Sequence, residues 1–164
     1  MKETPQYPKS WNKNLTTIDI FFPNKQFGGA YHFGMHILYN LIMSNPNFYA
    51  KKVYSDEGKL DSKLIAMTVS YERDYPRIPK LLKQQGISLD KNTREQIIFC
   101  GGPAVTLNSK PVEDYVDFIV FGDAEAVLPP LLDAYKGQSK QEYLNTIKTI
   151  QGVYIPGLNK KTFN

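Results

Sequence analysis

The 164-residue chain contains a single cysteine, Cys100. A disulfide within one chain needs two cysteines, and a metal site built on thiolates needs several, so this sequence supplies neither. A lone thiol is compatible with a reducing compartment, and we expect a cytoplasmic location. Cys100 ends an apolar run and has no evident basic neighbour. It is therefore interpreted as a core thiol rather than a nucleophile.

Long apolar runs are missing as well. A helix that spans a bilayer needs roughly 18 or more apolar residues, and no run in this sequence approaches that length. The first residues, MKETPQYPKSWNKN, are polar and lack the apolar centre of a signal peptide. The sequence therefore predicts no membrane partner.

Charge of one sign is not concentrated anywhere in the sequence. The formal net charge is +4, from 20 lysines and arginines against 16 acids. The densest basic spots are the pairs Lys51-Lys52 and Lys160-Lys161. Nucleic-acid-binding surfaces usually cluster their basic residues on one face or helix, so a nucleic acid is not an expected partner.

Several familiar catalytic and nucleotide-binding motifs are also absent. No G-x-G-x-x-G follows the first predicted strand, and the sequence has neither a Walker loop nor a G-x-S-x-G elbow. His32 and His36 are four residues apart, a helical spacing that can hold a metal, but no glutamate of a metalloprotease accompanies them. We interpret them as a half-buried or surface pair and expect no metal site.

Apolar runs of strand length alternate with helical patterns in an otherwise ordinary globular composition, 41% hydrophobic and 22% charged. This alternation predicts an α/β fold, a Rossmann-like or flavodoxin-like doubly wound parallel sheet of about five core strands in the order 2-1-3-4-5. The predicted strands are 17–22, 48–54, 64–69, 96–100, 118–121 and 153–155, and the predicted helices are 30–44, 75–85, 125–135 and 141–150.

The same patterns divide the chain into three parts. Residues 1–16 hold two prolines and many polar side chains, and are predicted to form a polar arm. Residues 17–157 are predicted to form the α/β domain. Residues 158–164 are predicted to be a tail, or a linker to further protein.

Four loops that follow predicted strands carry the candidate ligand-binding residues, because ligands of open α/β sheets bind beyond the carboxyl ends of the strands. Each candidate also has a structural interpretation. The glycines could simply allow tight turns, Asp123 could be a helix N-cap, Glu125 a favourable first-turn acid, and Glu72-Arg73-Asp74 a solvated turn. The candidates are Asn24, Gly28, Gly29, Ser70, Glu72, Gly101, Gly102, Thr106, Asn108, Gly122, Asp123 and Glu125.

An ordered series of motifs connects these loops to a known family. The series comprises FFPNKQFGGAYHFGMHILYNLI, VSYERDYPRIPKLLKQQGI, IIFCGGPAVTLNSKP, DFIVFGDAEAVLPPLL and IQGVYIPG. Over residues 17–157 the chain resembles the N-terminal domain of radical S-adenosylmethionine (SAM) proteins, in particular those whose leading domain has the cobalamin-binding fold.

The resemblance implies an accessory domain that precedes a TIM-like barrel in the same polypeptide. That barrel would carry C-x-x-x-C-x-x-C, whose three thiolates hold a 4Fe–4S cluster that cleaves S-adenosylmethionine. With one cysteine, the present chain would not be catalytic by itself. Both S-adenosylmethionine and the cluster are expected only in the downstream domain.

Cobalamin is a possible ligand on the same grounds. Cobalamin domains have D-x-H-x-x-G after the first strand, S-x-L after the third and a glycine pair after the fourth. Here the first motif is absent, Ser70-Tyr71-Glu72 matches the second in part, and Gly101-Gly102 matches the third. The resemblance thus leaves two alternatives: a degenerate module that binds cobalamin without a protein ligand, or a degenerate domain that binds nothing and only shapes a partner's substrate channel.

Two alternatives come from other functional classes. The chain could be a free-standing module that binds a nucleotide or cobalamin. It could also be an independent enzyme that uses Asp123 and Glu125 as acid and base, which the sequence favours least because two acids in one helical turn are usually caps.

Overall fold

A six-stranded sheet with helices on both faces organises the computed structural model of this chain, which describes residues 9–162. Positions 1–8 of the predicted arm and positions 163 and 164 of the predicted tail lie outside the described residues. The strands are β1 (Thr16–Phe22), β2 (Phe48–Tyr54), β3 (Leu64–Thr68), β4 (Ile97–Gly101), β5 (Phe118–Val120) and β6 (Val153–Tyr154).

Within residues 9–162, six α-helices connect or follow these strands. They are α1 (Gln26–Gly29), α2 (Phe33–Ser44), α3 (Arg77–Gln84), α4 (Pro103–Leu107), α5 (Ala124–Ala134) and α6 (Lys140–Ile147). Two short 3-10 helices, Glu72–Asp74 and Lys110–Val112, lie in the segments that follow β3 and α4.

The strand order is β2-β1-β3-β4-β5-β6, and the first five strands are parallel. The predicted doubly wound order 2-1-3-4-5 is therefore confirmed. The sixth strand extends the sheet antiparallel to β5. The order reverses between β1 and β3, so the loops after these two strands flank the switch point where such sheets bind ligands.

Two hydrophobic clusters cover the two faces of the sheet. On one face, Ile18 and Ile20 of β1 pack with residues of α2, α5 and α6. On the other face, Phe21 packs with residues of α3 and α4. All five residues of β3 are buried, as expected for a parallel strand covered on both sides.

The helices depart from the sequence prediction in ways that have local causes. The helix predicted from residue 30 begins at Phe33, because the His32 side chain accepts a hydrogen bond from the Met35 N–H and caps it. The predicted loop that carries Gly28 and Gly29 instead forms α1. The sequence analysis missed α4 because five residues are too few to show a helical period.

A buried carboxylate in β1 holds the loop before β3. Asp19 is fully buried, and its oxygens accept hydrogen bonds from the N–H groups of Asp61 and Ser62 and from the Ser62 hydroxyl, at 2.7–2.9 Å. The Lys51 ammonium lies 3.1 Å from the same carboxylate. Asp19 therefore fixes the chain at the amino end of β3.

Replacing Asp19 should be costly because several donors would lose their acceptor. We expect Asp19→Ala to lower the free energy of unfolding by about 3 kcal/mol. Urea denaturation measures this change. The matched control is Asp114→Ala at an exposed position, where a change within about 0.5 kcal/mol is expected. Equal effects of the two substitutions would contradict the assignment.

Candidate functional site

A cavity of about 220 Å³ lies at the carboxyl edge of the sheet, between α2 and α5. Its floor is formed by β3, β4 and β5, whose Ala66, Phe99 and Val120 side chains pack with the cluster on the α2 and α5 face. Ile37 of α2 and Leu128 of α5 are among the residues that line its sides. The cavity is thus apolar along most of its depth.

One hydroxyl lies among these apolar groups. Thr68, the last residue of β3, lines the cavity and is only 5% exposed. Its side chain has no hydrogen-bond partner among residues 9–162. The helix α2 passes close above it, because a Cβ on Gly34 would lie 3.9 Å from the Thr68 Oγ1 atom. Thr68 can therefore hydrogen-bond to a ligand that enters this cavity.

Two exposed acids, Asp123 and Glu125, lie on the α5 side of the cavity. Asp123 occupies the N-cap position of α5, as predicted, but its side chain makes no capping hydrogen bond. The prediction that Asp123 is the N-cap of this helix is therefore confirmed, and its carboxylate remains available to other groups. No lysine or arginine belongs to the lining. A phosphate would meet two carboxylates here, whereas a neutral or cationic ring with N–H donors would not be repelled.

The glycines of this edge have different surroundings. Gly102 has φ of +119° and ψ of 172°, a conformation that is essentially restricted to glycine. A Cβ there would lie 2.6 Å from the Val69 carbonyl oxygen. Gly101 has no positive φ, and its Cβ would meet the Val120 carbonyl oxygen at 3.3 Å. At Gly102, the absent side chain makes room for protein backbone.

A second group of polar side chains lies beside the switch point. The Asn24 amide donates to the Asp74 Oδ1 atom at 2.9 Å, and Arg77 donates to the Asn24 Oδ1 atom. Asp74 is 1% exposed, and its Oδ2 atom has no hydrogen-bond partner. The prediction that Glu72-Arg73-Asp74 is a solvated turn is thus wrong for Asp74, which joins the loops after β1 and β3.

A histidine and a serine also meet across the switch point. The His32 Nε2 and Ser70 Oγ atoms are 2.6 Å apart, and the His32 Nδ1 atom accepts from the Met35 N–H. Because Nδ1 is an acceptor, the proton of the neutral ring lies on Nε2, which donates to Ser70. Burial lowers the pKa of His32, so the neutral ring prevails near pH 7. In this tautomer His32 cannot take the Ser70 proton, and the pair is not an activated nucleophile.

The two histidines do not converge on a common point. The His36 Nε2 atom lies 2.9 Å from the Ala30 carbonyl oxygen and the Nδ1 atom lies 3.5 Å from the Lys52 ammonium. Residues 9–162 contain no cluster of three or more histidine, cysteine or acidic residues that could hold a metal ion. Nor does any helix within this range have the length and apolar character to cross a membrane.

The side chains of this domain do not supply the metal ligands that the cofactors of the resembled family require. A 4Fe–4S cluster needs three thiolates, and Cys100 is a single, fully buried thiol whose pKa is raised by burial. For cobalamin, both ring nitrogens of His32 are already engaged, so this histidine does not coordinate cobalt. No step of a reaction can therefore be assigned to a metal held by these residues.

The predicted site residues separate into three groups. Gly101, Gly102, Gly122, Asp123 and Glu125 line the cavity. Asn24 and Ser70 lie beside the switch point, where they bond to Asp74 and His32 respectively. The others lie apart: Glu72 is exposed, Gly28 and Gly29 pack beside the rings of Phe22 and Tyr54, Thr106 donates to the Gly102 carbonyl oxygen, and Asn108 accepts from Tyr75 through its carbonyl oxygen.

Sequence reasoning missed three polar residues of this edge. Thr68 was taken as part of an apolar strand, Asp74 as solvated, and His32 as one of a half-buried or surface pair with no assigned partner. The missed signal for Thr68 was its position as the last residue of a buried strand, on the face that α2 covers. For Asp74 and His32, the partners lie 50 and 38 residues away and no local pattern identifies them.

Comparisons with known proteins point in one direction. Residues 55–156 match the family model described as "Radical SAM proteins, N-terminal". An uncharacterized protein of Methanocaldococcus jannaschii is 29% identical over 117 residues, which is 69% of this chain and 25% of that relative. The chain therefore matches about a quarter of the relative's length. No solved structure matches the chain.

The close backbone approach at Gly102 predicts an unusually costly substitution. We expect Gly102→Ala to lower the free energy of unfolding by about 3 kcal/mol or more, because backbone strain and the contact with Val69 add. The matched control is Gly86→Ala, which also has a positive φ but nothing within 4 Å of the added Cβ; about 1 kcal/mol is expected there. Urea denaturation compares them, and equal costs would rule out the close approach as a constraint.

His32 should make stability depend on pH. Its pKa is lowered in the folded state, so the unfolded chain binds more protons, and stability falls as pH drops below about 6.5. We expect the free energy of unfolding to decrease between pH 7.5 and pH 5.5, and His32→Gln to flatten this slope. The control His36→Gln should retain it. Urea denaturation across this range decides, and an unchanged slope in His32→Gln would contradict the assignment.

Proposed function

Because the chain belongs to the family of N-terminal domains of radical SAM proteins, we propose that it is an accessory domain that binds part of a small ligand and is not catalytic by itself. The observation that carries the proposal is the apolar cavity at the carboxyl edge, with the unpartnered Thr68 hydroxyl inside it. The radical chemistry would belong to a catalytic domain in the same polypeptide.

The arrangement of side chains favours binding over catalysis. An acyl- or group-transfer site needs a nucleophile beside an unprotonated base, but His32 directs its proton toward Ser70. Cys100 is fully buried. Asp123 and Glu125 are exposed acids in one helical turn. The described residues contain no group of three or more metal-ligating side chains beside them. None of these groups is therefore arranged as an activated nucleophile or as a general acid–base pair.

The size and charge of the cavity indicate which part of a ligand it would hold. Pockets that enclose a drug-sized ligand typically measure about 300–1,000 Å³, so about 220 Å³ accommodates one ring system. The apolar floor suits a flat ring, Thr68 suits a ring nitrogen or an amino group, and the two acids disfavour a phosphate. A nucleotide or a cobalamin would therefore enter with its heterocyclic base. Cobalt would receive no imidazole from His32.

This proposal can be tested on the chain as it stands by titration with hydroxocobalamin, adenosine and adenosine monophosphate. We expect at least one of them to raise the melting temperature, since a ligand at 100 times its Kd stabilises a fold by about 2.7 kcal/mol. Adenosine should bind more tightly than its monophosphate. The absence of any shift up to millimolar concentrations would refute ligand binding here.

Two substitutions locate the binding within the cavity. Thr68→Val removes the hydroxyl and keeps the shape, and should weaken binding about tenfold, as expected for one lost hydrogen bond to a ligand. Val120→Phe should fill the cavity and abolish binding. The control Thr146→Val lies on α6 and should leave the Kd unchanged. Unchanged binding in the first two variants would place the ligand elsewhere.

The alternative of a free-standing nucleotide- or cobalamin-binding module shares the same cavity. Sequencing the reading frame beyond the codon for Asn164 distinguishes the free-standing module from the accessory domain. A continuation into C-x-x-x-C-x-x-C supports the accessory domain, and a stop codon supports the free-standing module.

A further inference from the structure

Exposed apolar side chains are concentrated at the carboxyl edge of the sheet. Seven large apolar side chains are exposed in the described part of the chain, and five of them follow β1, β3 or β4. These five are between 54% and 81% exposed. We call them the apolar rim: Phe27, Tyr31, Phe33, Tyr71 and Leu107.

Direct contacts join the segments that carry the rim. The rings of Phe27 and Tyr31 meet edge to face, with centroids 5.9 Å apart. His32 lies between Tyr31 and Phe33 in the chain, and Ser70 directly precedes Tyr71. The hydrogen bond from His32 to Ser70 therefore joins these two segments. The segments that carry Tyr31, Phe33 and Tyr71 are thus linked directly across the switch point.

A further hydrogen bond connects the Leu107 side of the rim. The Tyr75 hydroxyl donates to the Asn108 carbonyl oxygen at 2.6 Å, which links the segment after Tyr71 to the residue that follows Leu107.

The rim is presented by fixed backbone. Phe27 lies in α1, which the Asp56 carboxylate fixes by accepting the Gln26 N–H at 2.8 Å. The buried Asp74 carboxylate holds Asn24 just before this helix. These loops are therefore already ordered by contacts within the domain. A partner that binds the rim would lose little further conformational entropy there.

The composition of the rim is that of a protein interface. Such interfaces are enriched in tyrosine, phenylalanine and arginine and depleted in lysine and glutamate. The rim has two tyrosines and two phenylalanines, and the Arg73 guanidinium lies 5.7 Å from the centroid of the Tyr71 ring. Arg77 also lies between these loops, with its side chain 43% exposed.

We propose that the apolar rim is the surface on which the catalytic domain of the same polypeptide docks, and this inference rests on the proposed accessory function. The chain matches only about a quarter of its archaeal relative, so three quarters of that relative lies outside the matched segment. Phe33 of the rim directly precedes Gly34, which lines the cavity. A domain seated on the rim would therefore lie beside the cavity at Gly34 and reduce the access of water to a bound ring from that side.

Hydrogen–deuterium exchange tests this proposal by comparing the full polypeptide encoded with this chain against the 164-residue chain alone. We expect the amides of residues 26–34, 70–74 and 104–108 to exchange at least tenfold more slowly in the full polypeptide. Equal exchange in both proteins would overturn the proposal. So would a stop codon directly after Asn164.

Rim variants in the full polypeptide make the test specific. The double variant Phe27→Ser/Tyr71→Ser should abolish the added protection. The matched control Trp11→Ser/Leu158→Ser also removes two exposed apolar side chains. Trp11 donates to Thr17 near the start of β1, and Leu158 follows β6. We expect the control to keep the protection. If the control loses it and the rim variant keeps it, the docking surface is elsewhere.

The same variants in the 164-residue chain distinguish the other occupants. Size-exclusion chromatography would reveal a dimer, and sedimentation with vesicles of phosphatidylcholine and phosphatidylserine would reveal a lipid surface. A rim-dependent dimer or vesicle binding would overturn the proposal. The proposal is supported if the 164-residue chain is monomeric and does not sediment with vesicles, both with and without the rim substitutions.

Ligand titration of the rim variant separates this inference from the proposed function. An unchanged Kd with lost interdomain protection supports both statements. A chain that binds no ligand but shows rim-dependent protection refutes only the ligand proposal.

Discussion

The carboxyl edge of this domain depends on the contact between the backbones of Val69 and Gly102. The Val69 N–H donates to the Gly101 carbonyl oxygen at 2.9 Å, and the Val69 carbonyl oxygen accepts from Ala104 at 3.3 Å. Any side chain at position 102 would occupy the space of that carbonyl. The contact closes the gap between the ends of β3 and β4 and starts α4. Because the strands are parallel, the groups that follow them are thereby brought to one edge.

The sequence predicted the sheet well because its strands are continuous apolar runs. A parallel strand is covered on both faces, so the run from Leu64 to Val69 has no reason to include a charge. The sequence also located the cavity's glycines and acids, since glycine after a buried strand and acid at a helix start are local signals. It could not tell whether the space at Gly102 serves a ligand or the protein's own backbone.

What the sequence could not predict are the contacts between distant segments. The bond from Asn24 to Asp74 and the bond from His32 to Ser70 join residues far apart in the chain, and both form only when the sheet order brings β1 beside β3. Their chemistry follows from the same contacts. The capping bond to His32 Nδ1 places the proton on Nε2, the nitrogen that faces Ser70. The His32–Ser70 pair has the composition of a catalytic dyad, but its role is to hold the two loops together.

The two proposals, ligand binding in the small cavity and domain docking on the apolar rim, support each other. A ligand base held between α2 and α5 would remain open to water at its outer edge, which weakens the hydrogen bond to Thr68 and leaves the two acids solvated. The rim exposes aromatic side chains at the same edge of the sheet, and exposed apolar patches of this kind mark interaction surfaces. If a second domain covers the rim, the aromatic surface is buried, and the side of the cavity next to Gly34 becomes less open to water. Ligand binding and domain docking would then stabilise each other, with no reacting group needed in this chain.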